Sequence, residues 1–381
     1  MESNIIGEWQ MVKKKILIIL NYYIPYISGV TEYARLGAEL LVKKGYDVTV
    51  LTSNHANLAA YEEINGVHVY RAKVLFKISK GTVSLQYITL ARKLAKQADV
   101  VNLHCPMLES GLISLLIPKN KIVTMYHCDV NLPHSFVNNF IVKVMDLSHR
   151  ICLNRSRAIT VTSVDYAVHS RVAGKYKEKL IEITAPVKEY FPEKVVKNEN
   201  EKIIGFCGRI VEEKGIDVLL KAFEIIKKQQ PEVVLQIAGD YKGVAGGSIY
   251  PRLKKYIDDN HIKDVTFLGK LSEKDMPKFF SRLDVFVLPS INSLEAYGMV
   301  QIEAMRCGAP VVASDLYGVR TITQNTKGGL VSRRNDPKDL AKCILEVLTH
   351  KEKYAKTVAQ VEEHYSNKLW GEKYVSVLMG K

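Results

Sequence analysis

The chain has 381 residues, 47% hydrophobic and 25% charged, which excludes an intrinsically disordered protein and predicts about two globular domains. Its net charge is +14, and 24 Lys and Arg against 15 Asp and Glu give residues 1–190 a charge of +9. This balance suits anionic substrates, an anionic membrane surface or nucleic acid. The six cysteines form no C-x-x-C pair, and no apolar run approaches the ~20 residues of a membrane-spanning helix. We therefore expect reduced thiols and a chain that is soluble or at most attached to a surface.

Short apolar runs alternate with helical patterns along the chain, which is typical of βαβ units and parallel sheets. The predicted fold class is therefore α/β, with two doubly wound parallel sheets. The runs predicted as strands are 16–20, 47–51, 99–104, 121–125 and 158–162 in the first half, and 202–207, 233–238, 265–268, 284–288 and 310–313 in the second.

A segment with two prolines and a late polar, charged run, residues 183–202, separates the two series of strands and is typical of an interdomain linker. We place an N-terminal domain at 1–187 and a C-terminal domain at 188–360. Residues 361–381 are predicted to form a C-terminal amphipathic helix that packs back on the N-terminal domain.

The stretch SLEAYGMVQIEAM, residues 293–305, places Glu295 and Glu303 eight positions apart around a bend that contains Gly298. An apolar run precedes it, and a helical pattern follows and stops at Gly308. Backbone amides at the start of such a helix can bind an anion such as phosphate. The two carboxylates can accept paired hydrogen bonds from vicinal sugar hydroxyls. A sugar nucleotide carries both kinds of group and is the ligand that this stretch predicts.

Other candidate residues follow predicted strands in both halves. After the run at 202–207, GRIVEEKGID supplies Arg209 and Lys214, two cations that suit a diphosphate. Gly29 precedes a helix after the first strand, and His127 follows the strand at 121–125. Because ligands of open α/β sheets bind outside the carboxyl ends of the strands, we expect these residues to face one cleft between the domains.

This set of motifs resembles the retaining glycosyltransferases of family 4, which have the GT-B fold, over nearly the whole chain. The similar members are bacterial or archaeal enzymes of surface-glycan synthesis. The sequence has Ser28-Gly29 where many members have two glycines, and Ala185-Pro186-Val187-Lys188 where many have Asn-Gly before an acid. The motifs that carry the resemblance are the E-x7-E element, GRIVEEKG, AGD, VTFLGKL, DVFVLPS, EAMRCGAPVVAS and the Gly29 loop.

The resemblance implies how the E-x7-E element would bind a donor. Glu303 would bind the nucleotide ribose, and Glu295 would face the donor sugar. The backbone amides of Tyr297, Gly298 and Met299 would also face that sugar. The resemblance further implies that the leaving diphosphate takes the acceptor proton on the same face of the sugar.

It also implies roles outside that element. Arg209 and Lys214 would hold the diphosphate, and the Gly29 loop would help to bind the donor. His127 would lie beside the transferred sugar. The region from Leu268 to Leu271 would touch the base. The catalytic candidates are therefore His127, Glu295, Arg209 and Lys214.

The chemistry predicted from these residues needs no cofactor. No pair of carboxylates is typical of a double-displacement nucleophile, and no D-x-D pair is placed to hold a metal, so we predict metal independence. The expected partners are a nucleotide-sugar donor and a glycan or lipid-linked glycan acceptor, with no nucleic acid. We expect a cytoplasmic protein. The lysines and apolar residues of KVLFKISKG, residues 73–81, either form an ordinary helix or loop or rest on the inner face of an anionic membrane.

Several alternatives stay open at this point. A GT-B hydrolase, a phosphorylase or a sugar-nucleotide epimerase is a rival enzyme, and a non-catalytic protein that uses its charge to bind a surface is a rival of another class. His127 could be a packed polar residue, and Asp129, which follows the same strand, is equally consistent with a structural role. The nucleotide (UDP, GDP or ADP), the sugar, the acceptor and the linkage are not determined by the motifs.

Overall fold

The computed structural model describes residues 13–78, 81–132, 135–196, 201–242, 244 and 247–381, and most of their strands belong to two large sheets. The first half contains β1 (Lys15–Ile19), α1 (Gly29–Lys43), β2 (Asp47–Asn54), β3 (Tyr61–Ile64), β4 (Val67–Lys73), β5 (Phe76–Ile78), β6 (Gly81–Val83), α2 (Leu85–Gln97), β7 (Val100–Cys105), α3 (Ser110–Leu115), β8 (Ile122–Tyr126), α4 (Phe136–Arg155), β9 (Ala158–Val161), α5 (Val164–His169) and β10 (Leu180–Glu182). The second half contains β11 (Lys202–Cys207), α6 (Ile216–Lys227), β12 (Val233–Ala238), α7 (Tyr250–Asp259), β13 (Val265–Gly269), α8 (Asp275–Arg282), β14 (Val285–Leu288), α9 (Val300–Arg306), β15 (Val311–Ser314), α10 (Val319–Thr326), β16 (Gly329–Ser332), α11 (Pro337–Thr349), α12 (Lys351–Tyr354), α13 (Val358–Glu362) and α14 (Asn367–Met379).

The N-terminal sheet has the strand order β10-β9-β8-β7-β1-β2-β4-β3. Its strands pair in parallel except for β3, which is antiparallel to β4. The central strands β7 and β8 are buried at every position, as expected for a parallel sheet covered on both faces. The five strands predicted for this half are present, with ends shifted by at most three residues. The prediction missed β3, β4, the β5–β6 hairpin and β10.

The C-terminal sheet has the order β13-β12-β11-β14-β15-β16, and all of its pairs are parallel. Its five predicted strands are also present, and β16 was missed. The prediction of two doubly wound parallel sheets is therefore confirmed. The strand order changes direction between β11 and β14 here, and between β7 and β1 in the N-terminal sheet. Such switch points leave a crevice at the carboxyl ends of the strands.

The C-terminal segment differs from its prediction. The single helix expected at 361–381 is wrong, because the chain forms α13 and then α14, which starts after Ser366. The Ser366 side chain accepts a hydrogen bond from the Lys368 amide and caps α14. Val361, Tyr365 and Leu369 keep the four-residue spacing of a helix across this break, so the periodicity of apolar residues does not reveal it.

The last helix, α14, packs on α1 and β7 of the N-terminal half, whereas α13 contacts α9 of the C-terminal half. Glycines permit the close approach. A Cβ on Gly37 of α1 would lie 3.1 Å from the Tyr374 ring, and one on Gly371 of α14 would lie 2.8 Å from Leu40. The Arg157 guanidinium also donates hydrogen bonds to the carbonyl oxygens of Val377 and Leu378. The chain thus passes between its halves twice, once in the linker and once before α14.

Candidate active site

A cavity of about 310 Å³ lies between the two halves, at the carboxyl ends of both sheets. Its walls come from the segments that follow β1 and β8 in the N-terminal half and β11 and β14 in the C-terminal half. Eight residues singled out from the sequence line it together: Gly29, His127, Arg209, Lys214, Glu295, Tyr297, Gly298 and Met299. Three others, Glu303, Leu268 and Leu271, are not among its lining residues.

The loop between β14 and α9 shapes the C-terminal wall. Gly298 has a φ of +82°, a left-handed conformation that side chains rarely adopt. The space around it is also small: a Cβ on residue 298 would lie 2.6 Å from the Leu288 side chain and 2.8 Å from the side-chain Nε2 of Gln301. The helix expected after this bend is α9, which begins at Val300, and the backbone N–H of Gln301 donates to the Gly298 carbonyl at 3.0 Å. Crowding and backbone conformation therefore both require glycine at this bend.

Two ion pairs hold the candidate cations of this wall. The Lys214 ammonium is paired with the Glu295 carboxylate, and their side chains are only 16% and 13% exposed. The Ser290 hydroxyl donates to the same carboxylate oxygen at 3.3 Å. Arg209 is paired with Glu213 at 3.2 Å. Because both side chains are largely shielded from solvent, salt screens their attraction less than it screens an exposed pair. The Glu295 carboxylate therefore holds the Lys214 ammonium in place. Glu213 also lines the cavity and lies four residues after Arg209, but the sequence motifs did not indicate it.

Glu303 lies on α9 beside the linker. Burial raises the pKa of its carboxyl to about 7, and the charge and backbone of Lys188 oppose that rise. Lys188 also forms an ion pair with Glu273. A carboxyl with this pKa changes its charge near neutral pH. A ligand that donates a hydrogen bond to Glu303 would therefore favour its ionised form.

Leu268 and Leu271 lie on another part of the C-terminal half. Leu268 is in β13 and 38% exposed, and Leu271 follows that strand and packs partly against the core. Their predicted contact with a nucleotide base stays a prediction.

His127 forms part of the N-terminal wall and is largely buried. Its backbone N–H donates to the Cys105 carbonyl at 3.0 Å, and the Tyr33 ring packs edge-on at 5.3 Å between ring centres. Its Nε2 lies 3.0 Å from Nδ1 of His104. Burial lowers the pKa of His127 to about 3, so the imidazole is neutral at physiological pH.

Asp129 has a structural environment. It accepts hydrogen bonds from the hydroxyls of Tyr126 at 2.6 Å and Ser170 at 2.7 Å, and from the Arg171 amide at 3.0 Å. These bonds tie the loop after β8 to the segment after α5. The structural alternative for Asp129 is therefore the one that its contacts support.

Polar contacts join the two halves next to the cavity. Arg320 is paired with Asp165 at 2.7 Å, and the Gly318 amide donates to the same carboxylate at 2.9 Å. Asn131 of the N-terminal half donates to the Ser293 hydroxyl in the loop before α9. The sequence does not indicate these contacts, because partners from different domains leave no local pattern.

Comparison with known proteins agrees with this architecture. A family model described as "Glycosyltransferase Family 4" matches residues 27–180, and one described as "Glycosyl transferases group 1" matches residues 187–364. The chain therefore contains a family 4 type domain followed by a group 1 type domain, one in each half. The chain is 25% identical to an uncharacterized glycosyltransferase of Methanocaldococcus jannaschii over 96% of its own length and 97% of the relative.

Two further proteins are similar over most of their lengths. The O-antigen chain mannosyltransferase C of Escherichia coli is 22% identical over 87% of each chain. The crystal structure of Anabaena HepE in complex with UDP and glucose superposes with a TM-score of 0.72, at 16% identity, over 97% of this chain and 100% of that one. At such identity the structural likeness establishes the fold of the chain alone.

The bend at Gly298 can be tested against a glycine of the same conformation. Gly308 has a φ of +84°, and a Cβ there would meet nothing within 4 Å. We expect Gly308→Ala to cost about 1–2 kcal/mol, the strain of a left-handed alanine. Gly298→Ala should cost about 1–3 kcal/mol more, because the added methyl overpacks the loop. Thermal and denaturant unfolding of both variants measure the difference. Equal losses would show that the loop has room for a side chain.

Proposed function

We propose that the protein is a retaining glycosyltransferase that transfers a hexose from a nucleotide sugar to a hydroxyl of a lipid-linked glycan. One observation carries this proposal: His127 of the N-terminal half and the Arg209, Lys214 and Glu295 group of the C-terminal half line the same cavity. A diphosphate and the sugar attached to it fit such a pair of walls, one charged and one neutral. The order of the two matched family domains supports the assignment.

The two cations support catalysis through the leaving group. When the bond between the anomeric carbon and the diphosphate breaks, negative charge develops on the departing oxygen. Arg209 and Lys214 can stabilise that charge in place, which is the largest single contribution in many enzymes. In the proposed reaction, the departing phosphate oxygen takes the acceptor's hydroxyl proton. The acceptor oxygen then bonds to the anomeric carbon on the same face, so the configuration is retained.

The donor glutamates are tested with UDP-glucose as the probe. Glu303→Gln should weaken its binding roughly tenfold to hundredfold, because a hydrogen bond to a charged group is worth about 1.5–3 kcal/mol. Glu295→Gln should chiefly lower kcat, because its contacts matter in the transition state. Glu352→Gln, an exposed site on α12, is the control. Calorimetry and UDP release measure the two effects. Unchanged binding and turnover in both variants would remove these residues from the site.

The raised pKa of Glu303 adds a pH dependence to the same prediction. UDP-glucose does not titrate near pH 7, whereas Glu303 ionises at about pH 7. The ionised carboxylate accepts a hydrogen bond on each oxygen and accepts more strongly than the protonated form, in which one oxygen carries a hydrogen and donates. Affinity should therefore rise as pH increases from 6 to 8 in the natural protein and be flat in Glu303→Gln. The same rise in both proteins would assign the titration to another group.

The charge balance at the diphosphate gives a separate prediction. Lys214→Met and Arg209→Gln should each lower kcat about a hundredfold or more, as the loss of one transition-state donor does. Lys221→Met, an exposed site on the neighbouring helix α6, should have little effect. Because the two cations balance the leaving charge, activity should persist in EDTA. Abolition by EDTA with rescue by magnesium or manganese would contradict this balance.

The acceptor side of the proposal concerns the segment at 73–81. The structure places most of its described residues at the end of β4, in β5 and at the start of β6, so for these residues the expectation of a helix or loop is wrong. Lys73 is exposed, and Leu75 and Phe76 are more than half exposed. Lys80 lies outside the described residues. This segment therefore presents a small apolar group with one described basic neighbour.

A larger apolar surface lies on α3 and α4, and we name it the α3–α4 surface. It consists of Leu112, Leu115, Leu116, Phe136, Val137, Phe140, Val144 and Leu147, all exposed. The two helices pack closely, since a Cβ on Gly111 would lie 2.7 Å from the Ser148 carbonyl. Contiguous exposed apolar surface of this kind marks an interaction site. His127, which lines the cavity, lies nine residues before Phe136 in the chain.

Charge favours a membrane as the occupant of the α3–α4 surface. Lys119 and Lys143 are exposed beside the apolar residues. The acidic side chain on α4, Asp146, is buried and paired with Arg171. A basic apolar face binds anionic lipid in two ways: its apolar side chains insert into the membrane, and each lysine near the surface adds about 1 kcal/mol of electrostatic attraction. No helix in the described ranges is long and apolar enough to cross a membrane. We therefore include attachment to an anionic lipid surface in the proposal.

Vesicle co-sedimentation tests this attachment. The protein should bind vesicles that contain phosphatidylglycerol, bind less at high salt, and ignore pure phosphatidylcholine. Phe136→Ser with Phe140→Ser should reduce binding at least about tenfold, because two inserted aromatic groups are lost. The control Val196→Ser changes an exposed apolar residue of the linker and should bind normally. If the natural protein stays in the supernatant at low salt, a soluble acceptor becomes the better proposal.

A further inference from the structure

A chain of buried hydrogen bonds runs from the last helix to the cavity. The Tyr374 hydroxyl of α14 donates to Oδ1 of Asn102 at 2.9 Å. The same Oδ1 lies 3.0 Å from Nε2 of His104, and Nδ1 of His104 lies 3.0 Å from Nε2 of His127. Tyr374, Asn102 and His104 are at most 1% exposed. We name these four side chains the histidine chain.

The direction of each hydrogen bond follows from the Asn102 amide. Its Nδ2 donates to the Val123 carbonyl at 3.1 Å on the neighbouring strand β8, so the amide oxygen must face the other way. An amide oxygen only accepts hydrogen bonds. His104 must therefore carry a hydrogen on Nε2, and Tyr374 must donate its hydroxyl hydrogen.

The protonation of His127 follows from that of His104. Burial and the neighbouring imidazole lower the pKa of His104 well below its ordinary value, so the ring is neutral and carries one hydrogen. Because that hydrogen is on Nε2, Nδ1 of His104 can only accept. His127 must then donate from its own Nε2, which leaves its Nδ1 without a hydrogen.

The remaining nitrogen of His127 is the one available to a ligand. Within the described residues, Nδ1 of His127 has no hydrogen-bond partner. It is also not one of the fully buried polar atoms that lack a partner, so a ligand can reach it. The residue lines the cavity. Tyr33, whose ring packs against both histidines, prevents the imidazole from turning freely. The cavity wall therefore contains a neutral nitrogen that accepts hydrogen bonds and cannot donate them.

We propose that Asn102, His104 and Tyr374 are positioning residues that hold His127 as its Nε2–H tautomer, so that the transferred sugar must present a free hydroxyl to Nδ1. This inference rests on the proposed function for the identity of the ligand. A neutral acceptor binds a hydroxyl, and it repels the lone pairs of a carboxylate or a phosphate. A sugar with a hydroxyl at the position that faces Nδ1 should thus be preferred over one that carries a carboxylate or a hydrogen there.

The tautomer can be measured without any substrate. Nitrogen-15 spectra of the whole, histidine-labelled protein distinguish the two neutral tautomers and the imidazolium, and His127→Gln and His104→Gln assign the signals. We expect the Nε2–H form for both residues throughout pH 6–8. A His127 that carries its hydrogen on Nδ1, or that is charged at pH 7, overturns the proposal whatever reaction the protein catalyses.

Variants separate positioning from general stability. Asn102→Leu removes the acceptor that orients His104, so His127 should show both tautomers. Tyr374→Phe removes one of the two donors to the Asn102 oxygen, while Nδ2 keeps its bond to Val123, so this variant should shift the His127 signals less than Asn102→Leu does. The control Tyr87→Phe removes another buried hydroxyl, which donates to the Leu20 carbonyl, and should leave the His127 signals unchanged. An unchanged His127 spectrum in Tyr374→Phe, and in Asn102→Leu where that variant folds, would refute the positioning role.

The substrate consequence is measured with UDP-glucose, its monodeoxy derivatives and UDP-glucuronate. One of the deoxy derivatives should react about tenfold or more slowly than UDP-glucose, because it lacks the hydroxyl that would donate to Nδ1 and so leaves that nitrogen unpaired. Asn102→Leu should shrink that ratio, whereas Tyr87→Phe should keep it. Equal use of all the deoxy derivatives refutes the hydroxyl requirement. If none of these donors binds, the proposed function fails for glucose donors, and the spectra alone decide the tautomer.

Discussion

Parallel strand pairing is the constraint on which the rest of the structure depends. In a parallel sheet every strand ends at the same edge, so the segments that follow β1, β8, β11 and β14 collect at the two facing edges. This arrangement places His127 opposite Lys214 although they belong to different domains. The chemistry of the cavity thus comes from short loops, while the buried strands fix where those loops begin.

The two walls differ in their electrostatics. On the C-terminal wall, cations and carboxylates are already paired, as in Lys214 with Glu295, so the site holds its charges in place before a ligand arrives. On the N-terminal wall, burial keeps His127 neutral. A ligand with a charged end and a neutral end meets a matching surface at each end. The α3–α4 surface adds a third environment on the N-terminal half, apolar and basic.

Much of the fold could be predicted from the sequence, because buried parallel strands are continuous apolar runs and all ten predicted runs are strands. The missed hairpin of β3 and β4 did have a local signature, since Asn65 and Gly66 both have positive φ in its turn. The residues around Glu295 could be found because their motif is contiguous. The histidine chain could not, because Tyr374 and Asn102 are 272 residues apart and only the folded chain brings them together.

The position of α14 limits how the halves can move. The chain passes between them at two places, in the linker and before α14. Two bodies joined at two separate points rotate easily only about the line through those points. Opening about that axis would widen the cavity and separate its walls without sliding one along the other. Each closing would then return His127 to the same alignment with the opposite wall, with α14 moving as part of the N-terminal body.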